Sequence, residues 1–129
     1  MDEGRAGIFA WLGYRGGPGQ LAWVLHRVTG IGVLLFFVIH VVDTMFVCYG
    51  PELYNKVMAL YRMPLFRYGE IALAAALLYH AINGIRITIL DFWPELGRKQ
   101  RALFYAEMVL FTVIFVPGAF WMLKSFVKF

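Results

Sequence analysis

Three long apolar stretches, each interrupted by polar or helix-breaking residues, set the frame of this chain. They run from Val28 to Cys48, from Ile71 to Leu90 and from Leu103 to Leu123. Each holds about 20 residues, the length a helix needs to cross roughly 30 Å of hydrocarbon. The flanking breakers predict helices over about 21–47, 69–93 and 103–123. Gly50 and Pro51 end the first, and Pro94 stops the second because proline cannot donate the backbone bond a helix interior needs. Residues 1–20 carry Gly16, Gly17, Pro18 and Gly19 and read as an irregular arm at the membrane surface. Between the first two spans, Leu53, Val57 and Leu60 share one side of a short surface helix that Pro64 is expected to close. Trp93 and Trp121 have the position of interfacial anchors.

Composition narrows the class. The chain has 129 residues, 61% of them hydrophobic, and a mean hydropathy of +0.68. So short a soluble domain cannot hide that much apolar surface, because small folds bury a small fraction of their chain. The reading is therefore an all-α membrane protein, a single membrane-anchor domain over 1–129. A net charge of +4 with scattered positives offers no basic, aromatic-interleaved run, so nucleic acid is not expected as a partner; lipid is. The single cysteine, Cys48, excludes an intrachain disulfide, and there is no CxxCH for covalent haem attachment. Asp2 and Glu3 without an apolar core do not resemble a signal or transit peptide, which favours a bacterial inner membrane. Arg5, Arg15, Arg27, Arg98, Lys99 and Arg101 on one side outnumber Lys56, Arg62, Arg67, Lys124 and Lys128 on the other, which favours a cytoplasmic N-terminus.

Ionisable side chains inside spans are costly and mark function by default, at roughly 2.5–3.5 kcal/mol or more near the helix centre. Here they are His26, Arg27, His40, Asp43, His80, Arg86 and Asp91, all on the first two helices. The third span has only Glu107 near its start and a kink expected at Pro117, and reads as packing. Fourteen residues separate His26 from His40, which returns the side chain to within about 40° of the same direction. His26, Gly30, Val33, Phe37, His40 and Thr44 thus form a stripe, and His80, Gly84 and Asp91 share a face of the second helix. Gly30 and Gly84 remove bulk beside the histidines, as haem ligation in a helical bundle requires. If His26 and Asp91 mark a common membrane level, His40 lies about 21 Å and His80 about 16 Å inside it. Two histidines at different depths would each need a partner histidine from a second subunit, giving up to two haems. The bland alternatives are a helix-to-helix hydrogen bond or a proton path for the histidines, close packing for the glycines, and for Asp43 either orientation of His40 or plain contact with water.

The segment Leu25-His26-Arg27-Val28-Thr29-Gly30 resembles the H-R-[VI]-[ST]-G motif that opens the first span of the cytochrome b anchor of succinate dehydrogenase. Tyr79-His80-Ala81-Ile82-Asn83-Gly84-Ile85-Arg86, followed by Asp91, resembles the Y-H-x-x-x-G-[IL]-R…D motif of the same family. The resemblance implies a haem-binding bundle of three transmembrane helices completed by a second anchor subunit, with an iron–sulfur subunit and a flavoprotein as further partners. By position it makes His80 the axial ligand of haem b. It puts Arg27 at the quinone pocket, His26 near the haem propionates beside Gly30, Asp91 at the proton-uptake side of the pocket, and Arg86 at a propionate or loop. Ile39-His40-Val41-Val42-Asp43-Thr44 resembles the first helix of two-haem anchors, where such a histidine ligates a second haem. The expected cofactors are one or two haems b and a quinone. Trp23 stands where some relatives have a ubiquinone-binding serine, and Ile87 where a histidine often follows, so menaquinone and ubiquinone both stay open. The competing readings are a haem-free anchor, a fumarate reductase counterpart and a small transporter subunit.

Overall fold

The computed structural model describes residues 17–127, with side chains to residue 124. Residues 1–16 of the expected arm, with Arg5 and Arg15, lie outside the described part, as does Lys128. The rest forms four α-helices, with 3-10 turns between the first and second and between the third and fourth: α1 (Pro18–Met45), α2 (Pro51–Leu60), α3 (Pro64–Phe92) and α4 (Gln100–Val127). The all-α membrane architecture follows, with three helices long and apolar enough to span a bilayer. Among the described residues there is no β-strand.

The helix starts differ from the sequence expectation for one physical reason. Proline lacks the N–H that is unpaired in a first turn anyway, and its fixed φ is already helical. Pro18 therefore opens α1 three residues before Leu21, on an extended Gly17 whose carbonyl accepts from Gln20 N (2.9 Å). Pro64, expected to close the connector helix, instead starts α3, and that connector helix is α2, opened by Pro51. Gly50 has φ +101°, a backbone conformation open chiefly to glycine, and it turns the chain from α1 into α2. Pro117 lies inside α4 without ending it.

Gly19 packs against the Gln100 side chain, so the start of α1 and the start of α4 share one end of the bundle, with α2 at the other. The core sits near the first end. Ala22, Tyr79 and Phe104 are its buried apolar residues, and Asn83, Arg86 and Glu107 are its buried polar ones. Every residue of α1 from Leu34 to Val42 is exposed, as are Val109, Val113, Phe120 and Trp121 of α4. This is the arrangement lipid or partner helices demand, with apolar bulk outward and the buried polar groups inside the bundle.

Candidate functional site

His26 and His80 come together. Their rings stack at 4.0 Å between centroids with 12° between planes. Each ring occupies the space that a side chain on the facing helix would take. A Cβ added to Gly30 would meet His80 Cε1 at 3.0 Å, and one on Gly84 would meet His26 Cε1 at 3.7 Å. The glycines thus remove bulk beside the histidines of the opposite helix, a relation that spacing along one helix does not reveal.

His80 Nδ1 lies 3.1 Å from the His26 carbonyl and 3.4 Å from Thr29 Oγ1. A carbonyl can only accept, so Nδ1 carries the proton and donates it. The Thr29 hydroxyl is itself turned back onto the Leu25 carbonyl at 2.7 Å, which fixes it as an acceptor for the ring. His80 is thereby held in one tautomer with Nε2 as its lone-pair nitrogen. This is the outer-shell pattern of metal-binding histidines.

His26 and Asp91 do not mark a common level: His26 lies between Gly84 and His80 along α3, roughly 10–16 Å inside Asp91. His80 meets α1 at Gly30, ten residues and about 15 Å before His40. The two histidines are therefore farther apart in depth than the difference of about 5 Å the sequence suggests.

Arg27 points away from this pair. Its guanidinium lies over the Trp23 indole at 4.3 Å on the outer surface of α1, so the tryptophan in the expected serine position packs against the arginine of the motif. Asp91 is exposed near the end of α3. Arg86 turns inward and meets Glu107, with Nε 3.2 Å from Oε2 and side chains 9% and 2% exposed. Glu107, near the start of the span that reads as packing, is thus the partner of an arginine on α3. The signal was present, since Glu107 stands seven residues, or about 10 Å, inside α4. Asn83, fully buried, donates from Nδ2 to the Ala22 carbonyl at 3.3 Å and ties α3 to α1.

His40 lies elsewhere. It is exposed, stacks on Phe36 at 5.4 Å, and lines a cavity of ≈ 540 Å³ with Asp43, Tyr61 and Glu70. Asp43 accepts a hydrogen bond from the Tyr61 hydroxyl rather than from His40. Tyr61 sits outside the spans, and that bond, with burial second and the nearby charge third, raises its pKa above the ordinary value.

Among the described residues no three His, Cys, Asp or Glu side chains gather as a metal cluster. The donor this chain would offer a haem iron is the single nitrogen Nε2 of His80, oriented by the bond from Nδ1.

The chain is a three-span helical membrane subunit with a stacked histidine pair between its first two spans. The chain belongs to the family described as succinate dehydrogenase/fumarate reductase transmembrane subunit, whose profile matches residues 3–116. It is 40% identical over 105 residues to the succinate dehydrogenase 2 membrane subunit SdhC of Mycobacterium tuberculosis, covering 81% of this chain and 77% of that protein. It is also 31% identical over 110 residues to the succinate dehydrogenase hydrophobic membrane anchor subunit of Halobacterium salinarum, covering 79% and 84%.

Proposed function

We propose that this membrane subunit would hold haem b through His80 Nε2, together with a partner anchor subunit, and would help form the site where quinone is reduced. The observation that carries the reading is the tether of His80 Nδ1 to the His26 carbonyl, which leaves the opposite nitrogen for iron. Bound haem b would supply a one-electron carrier, its potential tuned by axial ligands, burial and hydrogen bonds. The chain's own residues do the rest. Thr29 and the His26 carbonyl hold the ligand ring against rotation, and Gly30 makes room for it. Arg27, kept flat by Trp23, presents its N–H edges outward to a quinone oxygen as negative charge develops there. Asp91 stands at the rim for proton uptake, and His26 lies beside the ligand.

Two relatives named as succinate dehydrogenase subunits favour succinate oxidation over fumarate reduction as the working direction. An iron–sulfur subunit would deliver electrons from a flavoprotein, and the end bearing Arg98, Lys99 and Arg101 would face the cytoplasm of a bacterium. His40, some 15 Å farther along α1, would ligate a second haem facing its cavity.

His80→Ala in the assembled complex is expected to abolish the reduced haem b absorbance while flavin content per complex stays unchanged. A full spectrum in that variant refutes the ligand assignment.

A further inference from the structure

Three donors on α3 stand three residues apart: His80, Asn83 and Arg86. Each step of three turns the side chain back by about 60°, so the set sweeps about 120° around the helix within about 9 Å of its length. The first two reach α1. His80 Nδ1 lies 3.1 Å from the His26 carbonyl, and Asn83 Nδ2 lies 3.3 Å from the Ala22 carbonyl, one turn earlier on the same stripe of α1. The third reaches α4, where Arg86 Nε is 3.2 Å from Glu107 Oε2. Tyr79 lies within about 20° of Arg86 around α3 and is buried against the same neighbour. Its ring meets Phe111 edge-on at 6.0 Å, and its hydroxyl faces the Glu107 carboxylate.

Two bonds to one neighbour leave a helix free to roll. His80 and Asn83 both face α1, and turning α3 about that line of contact would swing the imidazole without parting the helices. Apolar packing does little to prevent it. Beyond Tyr79 the α1–α3–α4 junction opens into a cavity of ≈ 380 Å³, lined by Ala72, Ala75 and Ala76 of α3 and by Met108 and Phe111 of α4. Small side chains facing open space put no stop on rotation, and in lipid there is no hydrophobic drive to close the gap. A bond at a different angle around the helix does stop it. An atom about 5–6 Å from the helix axis moves about 0.5 Å for each 5° of rotation, so the Arg86–Glu107 contact tolerates little turning.

Burial makes the contact selective. The two side chains are 9% and 2% exposed. A turn of α3 that parted them would leave two uncompensated charges among apolar helices, which costs far more than replacing both by apolar groups. Arg86 also lies about 120° around α3 from His80, on the α4 side and away from α1.

We propose that Arg86 and Glu107 form a clasp that sets the rotation of α3 and, through it, the plane of the His80 imidazole. Both are positioning residues. The third span carries no histidine, yet through Glu107 it takes part in building the haem site. The clasp is a feature of this chain; its consequence for haem rests on the ligand reading of His80 above. It gives Arg86 a place different from the propionate contact that the sequence resemblance implies.

The test uses the assembled complex and two double variants. The low-field EPR feature of a low-spin ferric haem moves with the orientation of its axial imidazole, so it reports on His80 rather than on the amount of protein. Arg86→Met/Glu107→Leu removes both charges and keeps apolar volume, and its flavin per complex is expected to stay at the parent value. Its His80-dependent EPR feature is expected to shift and broaden. Haem loss on detergent dilution is expected to quicken at least about tenfold, as when an outer-shell partner of a metal ligand is removed. Arg86→Glu/Glu107→Arg reverses the pair between the same helices, and is expected to return both readings most of the way to the parent. A parent-like feature in the apolar double variant overturns the clasp, because packing alone would then hold His80. A feature that shifts, or a complex that fails to assemble, in both double variants overturns it too, since each residue would then act by itself rather than as a pair. A parent complex without His80-dependent haem overturns the ligand reading, and with it the clasp's part in haem binding, before any variant is compared.

Discussion

A methyl group at Gly30 would press on His80 Cε1 at 3.0 Å, whereas one at Gly84 would rest at ordinary contact, 3.7 Å from His26 Cε1. The two glycines look alike in sequence but carry different constraints. The Gly30 side of the interface cannot yield without turning a ring that is already fixed by the His26 carbonyl and Thr29. Gly30→Val is expected to destabilise the complex by about 1–3 kcal/mol, the usual range for overpacking, and to shift or remove the haem b absorbance. Gly84→Ala is expected to leave both near the parent. Thermal unfolding together with the reduced spectrum checks the pair; equal damage from both substitutions would mean that Gly30 has no special contact with His80.

At the scale of elements, polar side chains do the joining that apolar contact cannot do strongly in lipid. Helix association there depends on close packing and on hydrogen bonds between helices, each of modest strength. Asn83 links α3 to α1, Arg86 and Glu107 link α3 to α4, and Tyr61 links the α2–α3 connector back to Asp43 at the end of α1. The last contact has a pH dependence whose sign is fixed by its chemistry. Because the folded pKa of Tyr61 is raised, chiefly by the bond to Asp43, the contact is complete below the ordinary tyrosine value of about 10. It is lost as pH rises through the raised value, when phenolate and carboxylate repel. In an alkaline absorbance titration, the parent-minus-Tyr61→Phe difference should therefore ionise later than an ordinary tyrosine. Ionisation at the ordinary value would mean that the link to Asp43 is not made.

The whole molecule has two polar ends and an apolar middle. The histidine pair and the α1–α3–α4 junction occupy one end, and His40, Asp43, Tyr61 and Glu70 line a cavity at the other. α1 is exposed from Leu34 to Val42, and His40 stands open beside the cavity that Tyr61 and Glu70 also line. A ligand held there would need its remaining contacts from a partner subunit. The number of haems b per copy of this chain in the gently solubilised complex separates the possibilities. Two are expected, with His40→Ala removing one and leaving the His80-dependent absorbance intact. One haem, insensitive to His40→Ala, would assign His40 to packing or proton exchange instead.

Sequence alone determined the class of this protein, because length and apolar run are what a bilayer reads. Three stretches of about 20 residues can only be spans in so short a chain, and their breakers placed the helix ends to within a few residues. The motif around His26 and the motif around His80 were also legible, since each is contiguous along one helix. The relation between the motifs was not, because the facing of two helices is settled by packing across the interface. Only the tertiary structure decided that Gly30 serves His80 and that Gly84 serves His26. It likewise settled that His26 stands with His80 rather than level with Asp91, and that Arg86 turns inward to Glu107. Glu107 is the one ionisable side chain between Leu103 and Leu123, and the sequence names no partner for it. Its partners come from another helix, and a buried charge is explained only by what packs against it.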